Sequence, residues 1–187
     1  MELTGSRRIA ADRQEVWEAL NDPEVLKASV PGCQELTGSA EEGFEAVVKQ
    51  KVGPVSATFR GSVQLTNIVA GESYTISGEG KGGAAGFARG GADVRLEDAE
   101  EGGTLLTYDV NAVVGGKLAQ LGSRIIDGFA KKMADQFFEN FQAAVEGTAV
   151  QEPDADVPAQ AETAEGDDAP VNGGGRLSRW FRGKRES

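Results

Sequence analysis

The chain has 187 residues, a formal net charge of −11, no histidine and one cysteine. The acidic balance argues against a nucleic-acid binder, and the missing imidazoles exclude His-based triads, His-ligated zinc or haem and the commonest general base. A lone Cys33 closes no internal disulfide, as expected in a reducing cytosol. No apolar run is long enough to span a bilayer, and "MELTGSRRIAADRQEVW" lacks the apolar centre of a secretory signal.

In chain order, "ELTGSRRIA" reads as a first strand. Asp12 and Glu15 form a D-x-x-E capping pattern ahead of Val16, Trp17 and Leu20, which predicts a helix. Asp22-Pro23 opens a second short helix, with Val25 and Leu26 on its inner side, and Pro31-Gly32 ends it. A meander of strands follows, beginning with "FEAVVKQKV" and the turn at Gly53-Pro54. In "VSATFRGSVQLTNIV" the residues Val55, Ala57, Phe59, Gly61, Val63 and Leu65 share one face, and Ser56, Thr58, Arg60, Ser62, Gln64 and Thr66 the other. That period of two marks a sheet with one packed and one wet face. "SYTISGEG", "AAGFARGGADVRLED" and "TLLTYDVNAVV" continue it.

After Gly115-Gly116 the period changes. Leu118, Leu121, Ile125, Phe129, Met133 and Phe137, with Ile126, Phe138 and Phe141 beside them, recur at three- and four-residue spacing and predict one long amphipathic helix to about Glu146. The expected fold class is α+β: a curved antiparallel sheet of about seven strands wrapped around a long C-terminal helix, with two short helices after the first strand.

Composition changes after this helix. Residues 148–175 carry Asp, Glu and three prolines but no Lys, Arg or aromatic residue. Such a stretch buries too little to offset its ordering entropy, so 147–175 reads as an acidic disordered linker with a typical span of roughly 30 Å. Residues 176–187 form a basic tail. Leu177, Trp180 and Phe181 fall at i, i+3 and i+4, flanked by Arg176, Arg179, Arg182, Lys184 and Arg185. On an anionic bilayer such a segment folds as it binds, its rings at headgroup level. The alternatives are a solvated tail and a docking peptide for a protein.

Three other features carry less. Gly78-x-Gly80-x-x-Gly83 matches a dinucleotide fingerprint as a string, but a strand and not a helix follows it. Cys33 has no base or second ligand nearby and reads as a half-buried turn residue. Among the carboxylates Glu35, Glu45, Asp93 and Asp109, the last lies with Asn111 on the polar side of its strand, opposite Tyr108 and Val110, and so faces solvent.

The stretches "VWEALNDPEVLKASVPGCQEL", "KVGPVSATFRGSVQL", "GGAAGFARGGADVRL" and "GGKLAQLGSRIIDGFAKKMADQFFENF" resemble the carbon monoxide dehydrogenase G-subunit family, within the START-like (SRPBCC) helix-grip superfamily. The resemblance covers most of residues 1–146, which it makes a lipid- or quinone-binding domain. It implies a non-enzymatic protein with no covalently bound cofactor that recruits a molybdenum CO dehydrogenase-type hydroxylase to the cytoplasmic membrane. It further implies non-covalent binding of an isoprenoid quinone such as menaquinone or ubiquinone, linking that enzyme to the respiratory chain. The expected place is cytoplasmic, peripheral to the inner face of the cell membrane.

The glycines Gly78, Gly80, Gly82, Gly83, Gly86, Gly90 and Gly91 crowd two adjacent strands. Read alone, they fit a bent sheet over a filled core; with the resemblance, they fit a cavity. The expected lining is Phe59, Val63, Tyr74, Phe87, Tyr108, Leu118, Leu121, Ile125 and Phe129. Tyr74 and Tyr108 are either polar groups that fix a quinone carbonyl or plain strand aromatics. Two other functions stay open: a cyclase- or hydrolase-type enzyme on the same fold, and a ligand-free docking adaptor.

Overall fold

A computed structural model describes residues 1–148. Strand β1 (Glu2–Ile9) leads into helices α1 (Arg13–Asn21) and α2 (Pro23–Ser29). Six strands follow: β2 (Cys33–Ser39), β3 (Gly43–Val52), β4 (Val55–Val69), β5 (Ser73–Lys81), β6 (Phe87–Asp98) and β7 (Thr104–Gly115). Helix α3 (Ser123–Thr148) closes the order. The Glu15 carboxylate accepts a hydrogen bond from the Asp12 amide at 3.1 Å, and Asp22 Oδ1 accepts from the Glu24 amide at 2.8 Å. These contacts satisfy amides at the starts of α1 and α2 that the helices cannot pair internally.

The seven strands form one antiparallel sheet in the order β1-β7-β6-β5-β4-β3-β2. All neighbours are consecutive in sequence except β1, which returns beside β7. The protein is α+β, a curved sheet with the long helix across its inner face. One end of the sheet, here the near end, gathers Met1, the β3–β4 and β5–β6 turns and the start of α3. The far end gathers the β2–β3, β4–β5 and β6–β7 turns. Helix α3 finishes there, where Gln142 donates to the Arg8 carbonyl at 2.7 Å and Glu146 accepts from the Ala10 amide at 3.1 Å.

The helix does not pack evenly along its length. At the far end Ile9, Val16, Leu20, Leu96, Leu106 and Phe141 form a fully closed core with Phe138 and Val145. At the near end a smaller cluster of Val52, Leu118 and Ile126 seals the fold. Between them the side chains that face each other are short. The inner face of the sheet carries Ala46, Gly61, Gly80 and Ala88 in one register row and Gly78, Gly90 and Ala112 in the next. The helix presents Ala130 and Ala134 to the same space.

Three sequence expectations are corrected here. β2 is a strand of its own, paired with β3 through a bulge between Cys33 and Glu35. The segment 84–98 is not one strand: Gly83–Ala85 make a 3-10 turn and pairing starts at Phe87. The long helix starts at Ser123 and reaches Thr148, so Leu118 and Leu121 sit before it, in and beside a 3-10 turn. Gly122 separates the two with a φ of 84°, a left-handed conformation that breaks helical continuity. The rest of the expected linker and the whole tail, including Arg176, Leu177, Arg179, Trp180, Phe181, Arg182, Lys184 and Arg185, lie outside the described residues.

Candidate functional site

The gap between sheet and helix is a pair of abutting apolar chambers. The larger, 470 Å³, lies under α2 and β2 and is lined by Leu26, Leu36, Val48, Val63, Leu65, Ile76, Phe137 and Phe138, with Tyr74 and Tyr108. The smaller, 360 Å³, lies toward the near end, lined by Met1, Leu3, Val52, Phe59, Val114, Leu118, Ile126 and Phe129. Both share Val110, Met133 and Ala134. Although they face inward, Val63, Leu65, Ile76, Val110 and Met133 are only half-buried, because each borders the open space of a chamber.

The glycines act in two ways. A Cβ at Gly90 would come within 2.1 Å of the Asn111 carbonyl, and one at Gly78 within 2.9 Å of the Ser62 carbonyl, so the bend of the sheet requires their absence. A Cβ at Gly80 would meet nothing within 4 Å. The glycines therefore divide: Gly78 and Gly90 permit close backbone approach between strands, and Gly80 borders open space.

Among the described residues no charged side chain lines either chamber; the polar groups there are Gln50, Tyr74, Tyr108 and, at the smaller chamber, the Met1 ammonium, which donates to the Ala112 carbonyl at 3.0 Å. Tyr74 is 5% exposed and meets Trp17 edge to face, and its hydroxyl has no hydrogen-bond partner among the described residues. Burial pushes its phenol well above the usual tyrosine range, so it stays protonated and able to donate. The Tyr108 ring stacks on Phe138, and its hydroxyl end lies against Gly5, where a Cβ would collide with it. Arg7 also faces inward from β1, with its guanidinium 5.5 Å from the centre of the Phe138 ring and paired with Asp135.

Of the expected lining, Val63, Tyr74 and Tyr108 meet in the larger chamber, and Phe59, Leu118 and Phe129 in the smaller. Leu121 packs on the cluster that seals the near end without lining a chamber. Ile125 is 42% exposed on the solvent side of α3. Phe87 points away from the helix: Ala88 and Ala92 line the chambers, so Phe87, Arg89, Gly91 and Asp93 occupy the other face of β6. Ile125 and Phe87 thus fall outside the site. Sequence reasoning missed Met133, Ala134 and Val110 as the shared wall, though the first carries the helix period and the last alternates with Asp109.

The carboxylates lie elsewhere. Glu35 and Glu45 line a polar groove on the outer face of the sheet, and Asp93 and Asp109 another. Asp93 accepts a hydrogen bond from the Thr75 hydroxyl at 2.7 Å. None reaches a chamber. Cys33 is half-buried, its thiol donates to the Glu35 carbonyl at 3.3 Å, and burial raises its pKa while Lys27 pulls it down. The glycine string Gly78-x-Gly80-x-x-Gly83 runs from β5 into a 3-10 turn and a further strand, with no helix to hold a phosphate. No helix among the described residues is long and apolar enough to cross a membrane.

Comparisons with known proteins follow the same lines. The family profile of the carbon monoxide dehydrogenase G subunit (CoxG) matches residues 5–146. A conserved protein of Geobacillus kaustophilus, solved by crystallography, is 28% identical with a TM-score of 0.74, covering 79% of this chain and 97% of that one. A putative uncharacterised protein of Rhizobium leguminosarum superposes with a TM-score of 0.62 at 18% identity, covering 79% of this chain and 95% of that one. A START superfamily protein of Mycobacterium smegmatis does so with a TM-score of 0.59 at 12% identity, over 79% and 98% of the two chains. The last two establish the START-like fold alone. No functionally curated protein matches the chain. With the profile spanning nearly all of the sheet and of α3, the chain belongs to the carbon monoxide dehydrogenase G-subunit (CoxG) family.

Proposed function

We propose that this protein is a non-catalytic accessory that holds an isoprenoid quinone, or a lipid of similar shape, between sheet and helix. It serves a molybdenum-containing CO dehydrogenase-type hydroxylase at the inner face of the cell membrane and links that enzyme to the quinone pool. The observation that carries this reading is the pair of apolar chambers of 470 and 360 Å³ sharing one wall, with no charged side chain among the described residues that line them. Ligand pockets typically span about 300–1,000 Å³. The half-buried Val63, Leu65, Ile76 and Val110 leave apolar surface uncovered there, at a cost of about 25 cal/mol per Å². Water is a poor tenant, since a buried water needs two or more polar partners. An apolar guest removes the penalty.

The chemistry of the lining favours a neutral guest. A carboxylate or phosphate head would enter the larger chamber without a counter-charge, whereas the protonated Tyr74 phenol suits a carbonyl oxygen. The basic, aromatic-bearing run at 176–187 supports contact with an anionic surface. The enzyme reading is disfavoured because Glu35, Glu45, Asp93 and Asp109 all stand on the outer face, away from any apolar substrate.

The test is organic extraction of the purified full chain followed by mass spectrometry. A prenylated quinone in near-stoichiometric amount is expected. Folded protein that yields no lipid above trace level, even after incubation with quinone-containing vesicles, would overturn carriage and leave a docking adaptor.

A further inference from the structure

The domain is electrically two-ended. At the far end, Glu72, Glu97, Asp98, Glu100 and Glu101 crowd the β4–β5 and β6–β7 turns, where Arg8 and Arg13 are already paired with Glu101 and Asp98. At the near end the sign reverses. Lys51, Lys117 and Arg124 are exposed there, form no salt bridge among the described residues and outnumber the exposed Glu2 and Asp127.

The same end exposes large apolar side chains: Phe87 at 37%, Val113 at 54% and Ile125 at 42%. They share one rim. Phe87 pairs with Gly115, with its ring over that glycine, and Val113 is the diagonal neighbour of Phe87 on the outer face of the sheet. The Leu118 amide donates to the Ala85 carbonyl at 3.1 Å, tying the β7–α3 connection to the β5–β6 turn. A Cβ at Gly53, in the β3–β4 turn, would lie 3.5 Å from Ile125 Cγ2.

We infer that this near end is a membrane-docking face of the folded domain, and that its partner is an anionic bilayer. Exposed Phe, Val and Ile among unpaired Lys and Arg, on a chain of net charge −11, match a surface that is negative outside and apolar just beneath. The far end also exposes Ile68 and Val69, but among carboxylates, so an anionic surface repels it and the orientation is set. The placement has a consequence for the chambers. Leu118 and Ile126, which wall the smaller one, lie one and two residues from Lys117 and Arg124. The docking face and the chamber wall are two sides of one segment. The inference rests on the proposed lipid carriage only for the purpose of the contact, not for the contact itself.

The experiment uses the full chain and vesicles of neutral phosphatidylcholine, with or without anionic phosphatidylglycerol. Lys117→Gln combined with Arg124→Gln should weaken sedimentation with anionic vesicles by about thirtyfold, the equivalent of two surface cations, with unchanged thermal unfolding. Ile125→Trp should gain a blue-shifted emission component on binding, after subtraction of the parent signal. Unchanged vesicle binding by the folded charge variant overturns the inference and leaves the contact to another segment, such as residues 176–187. So does an unshifted Ile125→Trp signal in vesicle-bound protein, or a charge variant that keeps its vesicles but loses the dehydrogenase, which would make this end a protein interface. Solvent extraction of the same variant separates this failure from failure of carriage, because a chain that docks poorly still retains the lipid it already holds.

Discussion

Tyr108 and Phe138 stack with ring centroids 5.1 Å apart and planes inclined by 23°, joining β7 to α3 where the closed core gives way to the larger chamber. On one side of this pair lie Phe141, Leu106 and Ile9, fully enclosed. On the other lies open apolar space. The pair marks the boundary between packed and unpacked interior, and its environment makes stability strongly dependent on position along α3.

Truncation on the two sides should therefore differ. Phe138→Ala removes a ring that is 6% exposed and should cost about 3–5 kcal/mol. Met133→Ala, more than one turn earlier, borders a space that already exists and should cost no more than about 1 kcal/mol. Urea unfolding of the two variants with unchanged m-values checks this, and equal losses would mean that the chambers are filled by side chains in solution.

The two kinds of glycine should respond with opposite sign. Gly90→Ala forces a Cβ against the Asn111 carbonyl and should destabilise by about 1–3 kcal/mol. Gly80→Ala meets open space and should stabilise by about 0.5–1 kcal/mol, because alanine has less strand-ordering entropy to lose. Thermal unfolding of the pair reads both signs directly.

Tyr74 should matter more for binding than for stability. Its hydroxyl has no partner among the described residues, so Tyr74→Phe breaks no protein hydrogen bond and should leave stability within about 1 kcal/mol of the parent. The same change should weaken binding of a carbonyl-headed lipid by about three- to tenfold, the worth of one neutral hydrogen bond. The pH dependence has a definite sign. The folded-state pKa is raised above the ordinary 10.0, so the stability tied to the neutral phenol is complete below that pH and is lost as pH rises above it. Alkaline unfolding of the parent should steepen above about pH 10, and Tyr74→Phe should lose that component.

Filling the shared wall should empty the site. Ala134 lines both chambers, and Ala134→Phe places a ring in space that is open in the parent. Overpacking usually costs about 1–3 kcal/mol, but here the added bulk has room and the fold should be retained. Co-purified lipid, measured by extraction, should fall at least about tenfold, since ring and guest compete for one volume. Undiminished lipid in the folded variant would place the guest elsewhere.

Local physics made much of this readable before any coordinates. The strict alternation from Val55 to Leu65 identified β4 and its inner face, the Asp12/Glu15 and Asp22-Pro23 patterns marked both short helices, and the spacing of Phe129, Met133 and Phe137 marked α3. Each is a property of neighbours within a turn or a strand. The misreadings share a cause as well. Around Phe87 the run "AAGFARGG" offers no contrast between its two faces, so only pairing with Gly115 and Lys81 sets which way the ring turns. Leu118 and Leu121 keep a helical period by chance, and the left-handed Gly122 cuts them off.

The amino-acid sequence by itself determined the α+β order, the family and the small-residue composition of the inner wall, because these depend on residue type and short-range period. Tertiary structure alone decided that the small residues of four strands line up across the sheet against Ala130 and Ala134. It also decided that a neutral phenol ends in their midst while every candidate carboxylate stands outside. Register and curvature are long-range quantities, set by which strands meet and how sharply they bend, and no local window of sequence contains them.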